Sequence, residues 1–417
     1  MSLRSLATSW YNPPGMSFPR RGPFRPLGLS PNVLFLGITS FLTDISSEMI
    51  FTLLPLFLLN VLRVGTPVIG LVEGVAESTA TLTQLLSGWL SDKLRRRKAL
   101  ACLGYAMSTL AKPVLYFASS WSLVLGVRFF DRLGKGVRTS PRDALLAAST
   151  AAEVRGKSFG FHRALDTFGA VVGLGGAAAI VFLLQEGGLE LARPTYQTLV
   201  LVSLVPAVLA VAVIFFFVRE VSPAGDRGAA SFTTLPPARF DRRFKLFLGI
   251  MIVFTLGNSS DAFLVLRAQN LGLSVFHILL LFVFFNLVYA SFSLPAGMLS
   301  DRLGRRRLII LGWLIYAASY LGFAFATDFW HVWLLFGLYG LFRGATEGVE
   351  RAFVADLVGE RLRGTAYGLF HTAVGITILP ASLIAGWLWQ LVNPSAPFLF
   401  GGILAGLAAL LLAVLLK

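Results

Sequence analysis

Gly88-Trp89-Leu90-Ser91-Asp92-Lys93-Leu94-Arg95-Arg96-Arg97 and Gly297-Met298-Leu299-Ser300-Asp301-Arg302-Leu303-Gly304-Arg305-Arg306 are two versions of one segment, 209 positions apart. Each follows one apolar stretch and precedes another. The chain of 417 residues is 56% hydrophobic and only 14% charged, with mean hydropathy +0.74. A water-soluble protein of that composition would expose large adhesive patches. Apolar stretches recur about every thirty residues, the mark of a polytopic helical membrane protein.

The stretches predict an all-α fold of twelve membrane helices, over 33–62, 67–91, 99–118, 121–146, 157–184, 196–218, 244–270, 274–299, 307–326, 329–356, 363–391 and 395–416. Their connections alternate in charge. Lys93, Arg95, Arg96, Arg97 and Lys98 lie between helices 2 and 3, and Arg302, Arg305, Arg306 and Arg307 between helices 8 and 9. Arg219, Arg227, Arg239, Arg242, Arg243 and Lys245 lie between helices 6 and 7. The 3–4, 7–8 and 11–12 connections carry almost no charge. The positive-inside rule then places both termini in the cytoplasm and the protein in the cell's inner membrane. The net charge of +15 reflects topology and anionic lipid headgroups, not nucleic acid, because it sits between apolar spans.

The expected organisation is a cytoplasmic tail (1–32), a six-helix bundle (33–218), a cytoplasmic linker (219–243) rich in Pro, Gly and Ser, and a second six-helix bundle (244–417). The tail has no signal-peptide apolar core, so no cleavage is expected. Cys102, the single cysteine, has no intramolecular disulfide partner and reads as a small packing residue.

The repeat extends past the basic segments. Phe35-Leu36-Gly37-Ile38 returns as Phe247-Leu248-Gly249-Ile250, and Ser46-Ser47-Glu48 as Ser259-Ser260-Asp261. Arg155-Gly156 with Phe159-Gly160 returns as Arg363-Gly364 with Tyr367-Gly368. These matches keep their order, with small drifts of the kind loop insertions produce.

On these residues the chain resembles the major facilitator superfamily, as a prokaryotic-type permease, over essentially 33–417. The basic segment resembles that family's motif A, Gly-x-x-x-Asp-Arg/Lys-x-Gly-Arg/Lys-Arg/Lys. The second copy fits fully; the first has Arg95 where the family has its second glycine. The resemblance implies secondary transport by alternating access, with helices 1, 4, 7 and 10 lining a central cavity. It also implies a latch at the cytoplasmic side when the outside is open. Gly88, Asp92, Arg96 and Arg142 of the first half and Gly297, Asp301 and Arg305 of the second are its expected members. The glycines would admit close helix approach and the carboxylates charge-assisted bonds; alternatively, the arginines serve only topology.

Charges inside a bilayer are costly, so each needs a reason. Asp44 and Glu48 share one face of helix 1 at i,i+4, with Ser47 nearby. Two carboxylates so close repel, which makes a workable proton or cation site; pairing with bases on neighbouring helices is the plain alternative. Asn258, Ser259, Ser260 and Asp261 occupy the equivalent place in helix 7, with Arg267 further along. Helix 2 carries Glu73 and Glu77, placed toward the outer mouth or paired with Arg63 or with a neighbouring helix. Lys112 in helix 3 predicts a structural ion pair.

Helix 4 carries a polar stripe of Arg128, Asp131, Arg132 and Lys135. The family often has Arg-x-x-Gln-Gly there, which this stripe matches only at Arg128. Helix 10 mirrors the stripe with Arg343, Glu347, Glu350 and Arg351. Helix 5 sets Arg163 and Asp166 before Gly169, Gly173, Gly175 and Gly176, weakly similar to the antiporter motif of drug-exporting members. His371 stands alone in helix 11.

No Walker A sequence, no His/Cys cluster and no soluble catalytic domain are present, so neither an enzyme nor a cofactor or metal is expected. The expected function is a proton-coupled exporter of small organic molecules, working as a monomer. Asp44, Glu48 and Asp261 would titrate, and Phe51, Phe263 and Trp387 would form an apolar wall. An importer or symporter of an anionic metabolite, using Lys112, Arg163 and Arg267, is the alternative. A divalent-cation transporter and a non-transporting membrane sensor are further ones.

Overall fold

The computed structural model describes residues 29–94, 96–150, 154–185, 187–221, 240–359 and 362–416. Most of the N-terminal tail, residues 222–239 of the expected linker, Arg95 and the Asp92 side chain lie outside the described residues. The described chain is helical, and its twelve helices match the sequence spans to within a few residues. They are α1 (Pro31–Val61, ending in a π turn), α2 (Thr66–Leu94), α3 (Arg97–Phe117, ending in a 3-10 turn), α4 (Trp121–Ala148), α5 (Arg155–Gln185) and α6 (Arg193–Phe217). After them come α7 (Arg242–Asn270), α8 (Val275–Leu303), α9 (Arg305–Phe325), α10 (Phe329–Asp356), α11 (Arg363–Leu391) and α12 (Ala396–Leu415).

Among the described residues, nine of these helices are long and apolar enough to cross a membrane on composition alone. The other three are α2, α4 and α10, which carry the inward-facing charges. Their polarity is aimed at one another, so a hydropathy window underrates them.

Local chemistry starts and stops the helices. Ser30, Ser120 and Ser274 cap α1, α4 and α8 by accepting backbone N–H bonds from Val33, Leu123 and His277. Gly304 turns the chain between α8 and α9 at φ 89°, a left-handed conformation that favours glycine. This is the position where the first motif copy has Arg95.

The basic segments cap the ends of other helices. Lys98 Nζ donates to Phe215 O at 2.8 Å, near the end of α6. Arg306 donates to Leu412 O at 3.3 Å and to Ala413 O, near the end of α12. Cations at helix C-termini satisfy orphan carbonyls and oppose the macrodipole. Arg97 reaches Ala144 O at 3.5 Å and Arg305 reaches Ala352 O at 2.9 Å, each spanning 47 positions. The two bonds match in span, one position off the alignment of the basic segments, which sets Arg97 against Arg306.

The first six helices and the last six form two pseudo-symmetric bundles that meet along α2–α11 and α5–α8. Small residues let the α2–α11 seam close. Thr66 and Ser78 hydroxyls donate to Gly386 O at 2.9 Å and Gly375 O at 2.6 Å. A Cβ on Gly70 would lie 2.2 Å from Ser382 O. Further bonds join the bundles at the end away from the basic loops. Val275 N donates to Gly188 O at 3.3 Å, and Gln269 Nε2 donates to Leu189 O at 2.7 Å. The structure is thus closed at that end.

The expected continuous helix 244–270 is corrected: α7 is two pieces, Arg242–Gly257 and Ala262–Asn270. Asn258, Ser259, Ser260 and Asp261 have side chains that compete for backbone bonds. Ser260 Oγ accepts from Ala262 N at 3.2 Å. The break exposes polar groups within a membrane-spanning helix, where they line a cavity.

Candidate substrate cavity and coupling residues

A cavity of about 510 Å³ lies between the bundles, lined from α1, α2, α4, α7, α8, α10 and α11. The four helices implied by the family resemblance are among them. Of the sequence candidates, Glu48, Arg128, Asn258 and Asp261 reach it. So do Glu73, Glu77, Arg132, Lys135, Arg343, Glu347, Glu350, Arg351 and His371.

Most of these charges are neutralised in place. Arg128 binds Glu73 through two hydrogen bonds, of 3.2 and 2.6 Å, with its guanidinium 4.4 Å from the Phe51 ring centroid. Arg132 meets Glu77 at 2.9 Å. Glu73 and Glu77 therefore pair with α4, one turn apart on each helix, and not with Arg63, which bonds Glu190 at 2.8 Å. Asp131 lies 3.8 Å from Arg128 and 4.0 Å from Arg132, behind the cavity wall.

Across the cavity, Asp261 accepts from Tyr339 at 2.5 Å and from Arg343 at 3.3 Å. Tyr339 was missed in the sequence, since a tyrosine among apolar neighbours reads as core. Asn258 takes a longer bond, 3.4 Å, from Tyr316. Glu350 accepts from the Trp313 indole at 2.9 Å. Glu347 and Arg351 pair at 3.2 Å.

Asp44 turns away from this cavity. It faces Asp166 of α5, within hydrogen-bonding reach. Asp166 in turn meets Arg163 at 3.3 Å. Arg163 crosses to the other bundle, donating to Tyr289 and to Glu347 at 3.4 Å. Tyr289 itself donates to Glu347 at 3.0 Å. Asp44, Asp166 and Arg163 thus form one chain of contacts ending in α8 and α10. The α1–α5 approach that brings them together depends on two of the four helix 5 glycines. A Cβ on Gly169 or Gly173 would lie 2.4 or 2.5 Å from a carbonyl of α1, whereas Gly175 and Gly176 face open space.

Other expectations are redirected. Ser47, with Ser46, accepts from Lys112 Nζ at 3.1 and 2.6 Å, so Lys112 is held by hydroxyls at bonding distance and not by the expected carboxylate. Arg267 caps the end of α9 through Phe323, Ala324 and Ala326 carbonyls, outside the cavity. Phe263 is fully buried and Trp387 is 52% exposed on the outer face. The aromatic wall is instead Phe51, Phe254, Phe282, Phe285 and Phe370.

The basic-segment residues bond within their own bundles in this conformation. Arg305 pairs with Asp356 at 2.6 Å and with Asp301 at 4.0 Å. Arg142 pairs with Asp143 at 2.9 Å and donates to Ser40 at 3.3 Å. Arg96 is exposed. A Cβ on Gly88 would lie 3.4 Å from Ser140, while one on Gly297 would touch nothing. The close helix approach expected at Gly297 is absent from this state.

Two pseudo-symmetric six-helix bundles around a charged cavity, sealed at one end, define a membrane transporter for small molecules. The sequence pattern of the Major Facilitator Superfamily matches residues 36–265 and 246–417, and the chain belongs to that family. An uncharacterised MFS-type transporter of Methanocaldococcus jannaschii is 38% identical over 392 residues, covering 92% of this chain and 94% of the relative. The class B tetracycline resistance protein of Escherichia coli is 27% identical over 31% of each chain. Among solved structures, a mutant of the nucleoside transporter NupG superposes with a TM-score of 0.76 at 13% identity, covering 92% of this chain and 100% of that one.

Proposed function

We propose that the chain is a proton-coupled exporter of small organic molecules, with the basic loops on the cytoplasmic side. On that orientation the seal at the opposite end makes this a cytoplasm-facing state, the one in which an exporter loads. The coupling assignment rests on one feature, the placement of Asp44 beside Asp166. Two carboxylates so placed repel unless one carries a proton. Asp166 also holds Arg163, which ties the bundles through Tyr289 and Glu347. Loss or gain of that proton changes the charge beside a bond between the moving parts, which is how a gradient biases two states.

The alternatives fit less well. The cations an anion importer would use are engaged elsewhere: Lys112 on serines, Arg163 across the bundles, Arg267 on carbonyls. Asp44 and Glu48 do not converge on a cation, since only Glu48 lines the cavity.

The test is flux in proteoliposomes under an imposed pH gradient. Asp44→Asn and Asp166→Asn should abolish gradient-driven flux and retain exchange of substrate across the membrane. Gradient-driven flux at the native level in both variants would refute the assignment.

A further inference from the structure

Within the cavity, pairing leaves a short remainder. Glu73, Glu77, Asp261 and Glu347 each have an arginine within 4.0 Å. Among the described residues, none holds the Lys135 ammonium by a hydrogen bond or by an ion pair within 4.0 Å, although it lines the cavity, exposed to it and in the field of Glu77 and Asp44. Glu48 lines the same cavity and accepts only the Thr52 hydroxyl, at 2.7 Å. Arg128 is not part of this remainder, since its Nη1 is buried and faces Asp131 at 3.8 Å. A bare ammonium and a carboxylate with one neutral donor beside an aromatic wall are costly unless something completes them.

We propose that the cavity takes a small zwitterion with an apolar body. Its carboxylate would sit against Lys135, and its ammonium against Glu48. Phe51, Phe254 and Phe285 would cover the body, and an ammonium over such rings gains further attraction. Unpaired charge of both signs on one wall is the discriminating feature. A site for a pure cation would have no use for the bare lysine, and a site for a pure anion none for the bare glutamate. Glu350 also lacks a cation but already holds the Trp313 indole. This proposal names the substrate of the transport reading above and rests on it.

The test uses four charge forms of one body: L-phenylalanine, its amide, its N-acetyl form and its N-acetyl amide, with the same set built on leucine and tryptophan. Thermal stability of the purified full chain in detergent reads binding, because a ligand of the folded state raises Tm by mass action. The free amino acid of at least one body should raise Tm more than its three blocked forms. Lys135→Ala should move the preference to the amide, Glu48→Gln to the N-acetyl form, and Lys135→Arg should restore the native order. A blocked form that matches the free amino acid in the native protein would overturn the proposal, as would no response to any form. So would a preference that Glu350→Gln alters more than Glu48→Gln does. Failure of the coupling reading looks different: zwitterion binding intact, with flux indifferent to the pH gradient.

Discussion

Gly70 offers a direct handle on the α2–α11 seam. The alanine Cβ of Gly70→Ala would stand 2.2 Å from Ser382 O and 3.0 Å from its carbonyl carbon. Both are backbone atoms of a helix, so no side chain can swing aside. Ordinary contact begins at 3.4 Å, so the helices must part locally by about 1.2 Å, the difference from 2.2 Å. Overpacking of that kind costs about 1–3 kcal/mol. The cost falls on the conformation in which this end is closed. It therefore shifts the balance toward opening there by roughly 5–150-fold. The assay is labelling of Val265→Cys in a Cys102→Ser background, with a membrane-impermeant maleimide applied from outside. Val265 lines the cavity and is 2% exposed, so the closed seam shields it. Gly70→Ala should raise the labelling rate within that range, and Gly70→Leu should raise it further. Unchanged labelling in both would refute the claim that this seam closes the cavity.

Glu73→Gln removes the hydrogen-bonded carboxylate of Arg128, whose side chain is 3% exposed, and leaves it only Asp131 at 3.8 Å. Stranding a buried charge costs about 3–5 kcal/mol, so Tm in detergent should fall sharply. Arg128→Met combined with Glu73→Leu should recover most of the loss; a deeper fall in the double variant would count against this pair as the cause. Tyr339→Phe deletes the 2.5 Å bond to Asp261. Bonds to charged groups are worth about 1.5–3 kcal/mol, and calorimetry should find a loss in that range. Asp356→Ala breaks the exposed pair with Arg305, worth about 0–1 kcal/mol. Tm should hardly move, and a drop as large as that of Glu73→Gln would mean the pair anchors far more than its own bond.

The fold was legible because membrane spanning and the repeat are one-dimensional signals. Apolar length fixes spans, and basic loops mark alternate connections. The α7 break was visible in composition, as Asn258 to Asp261, but not as geometry. The site was legible only in part. Glu73 and Glu77 at i,i+4 announced a shared face, yet nothing in the sequence says which helix that face meets, so Arg63 and an unnamed neighbouring helix stood as equal partners. Lys112 shows the same limit: burial predicts a partner, but two hydroxyls served where a carboxylate was expected. Tyr339 and Trp313 became visible only once Asp261 and Glu350 had been placed beside them. The capping roles of Lys98 and Arg306 are also three-dimensional, since they join helices more than a hundred positions apart.

The two arginines that each reach a carbonyl 47 positions onward have a mechanical consequence. Arg97 on Ala144 and Arg305 on Ala352 fasten each basic loop to its own bundle. Together with the helix-end caps they give each bundle a stiff rim. Rocking then need not remodel a loop at every cycle. Displacement at the sealed end would then be passed to the opposite rim as by a lever. Stiffness of this kind keeps the stroke short of losses: a small parting of α2 from α11 moves the whole rim, and with it a fixed set of positive charges.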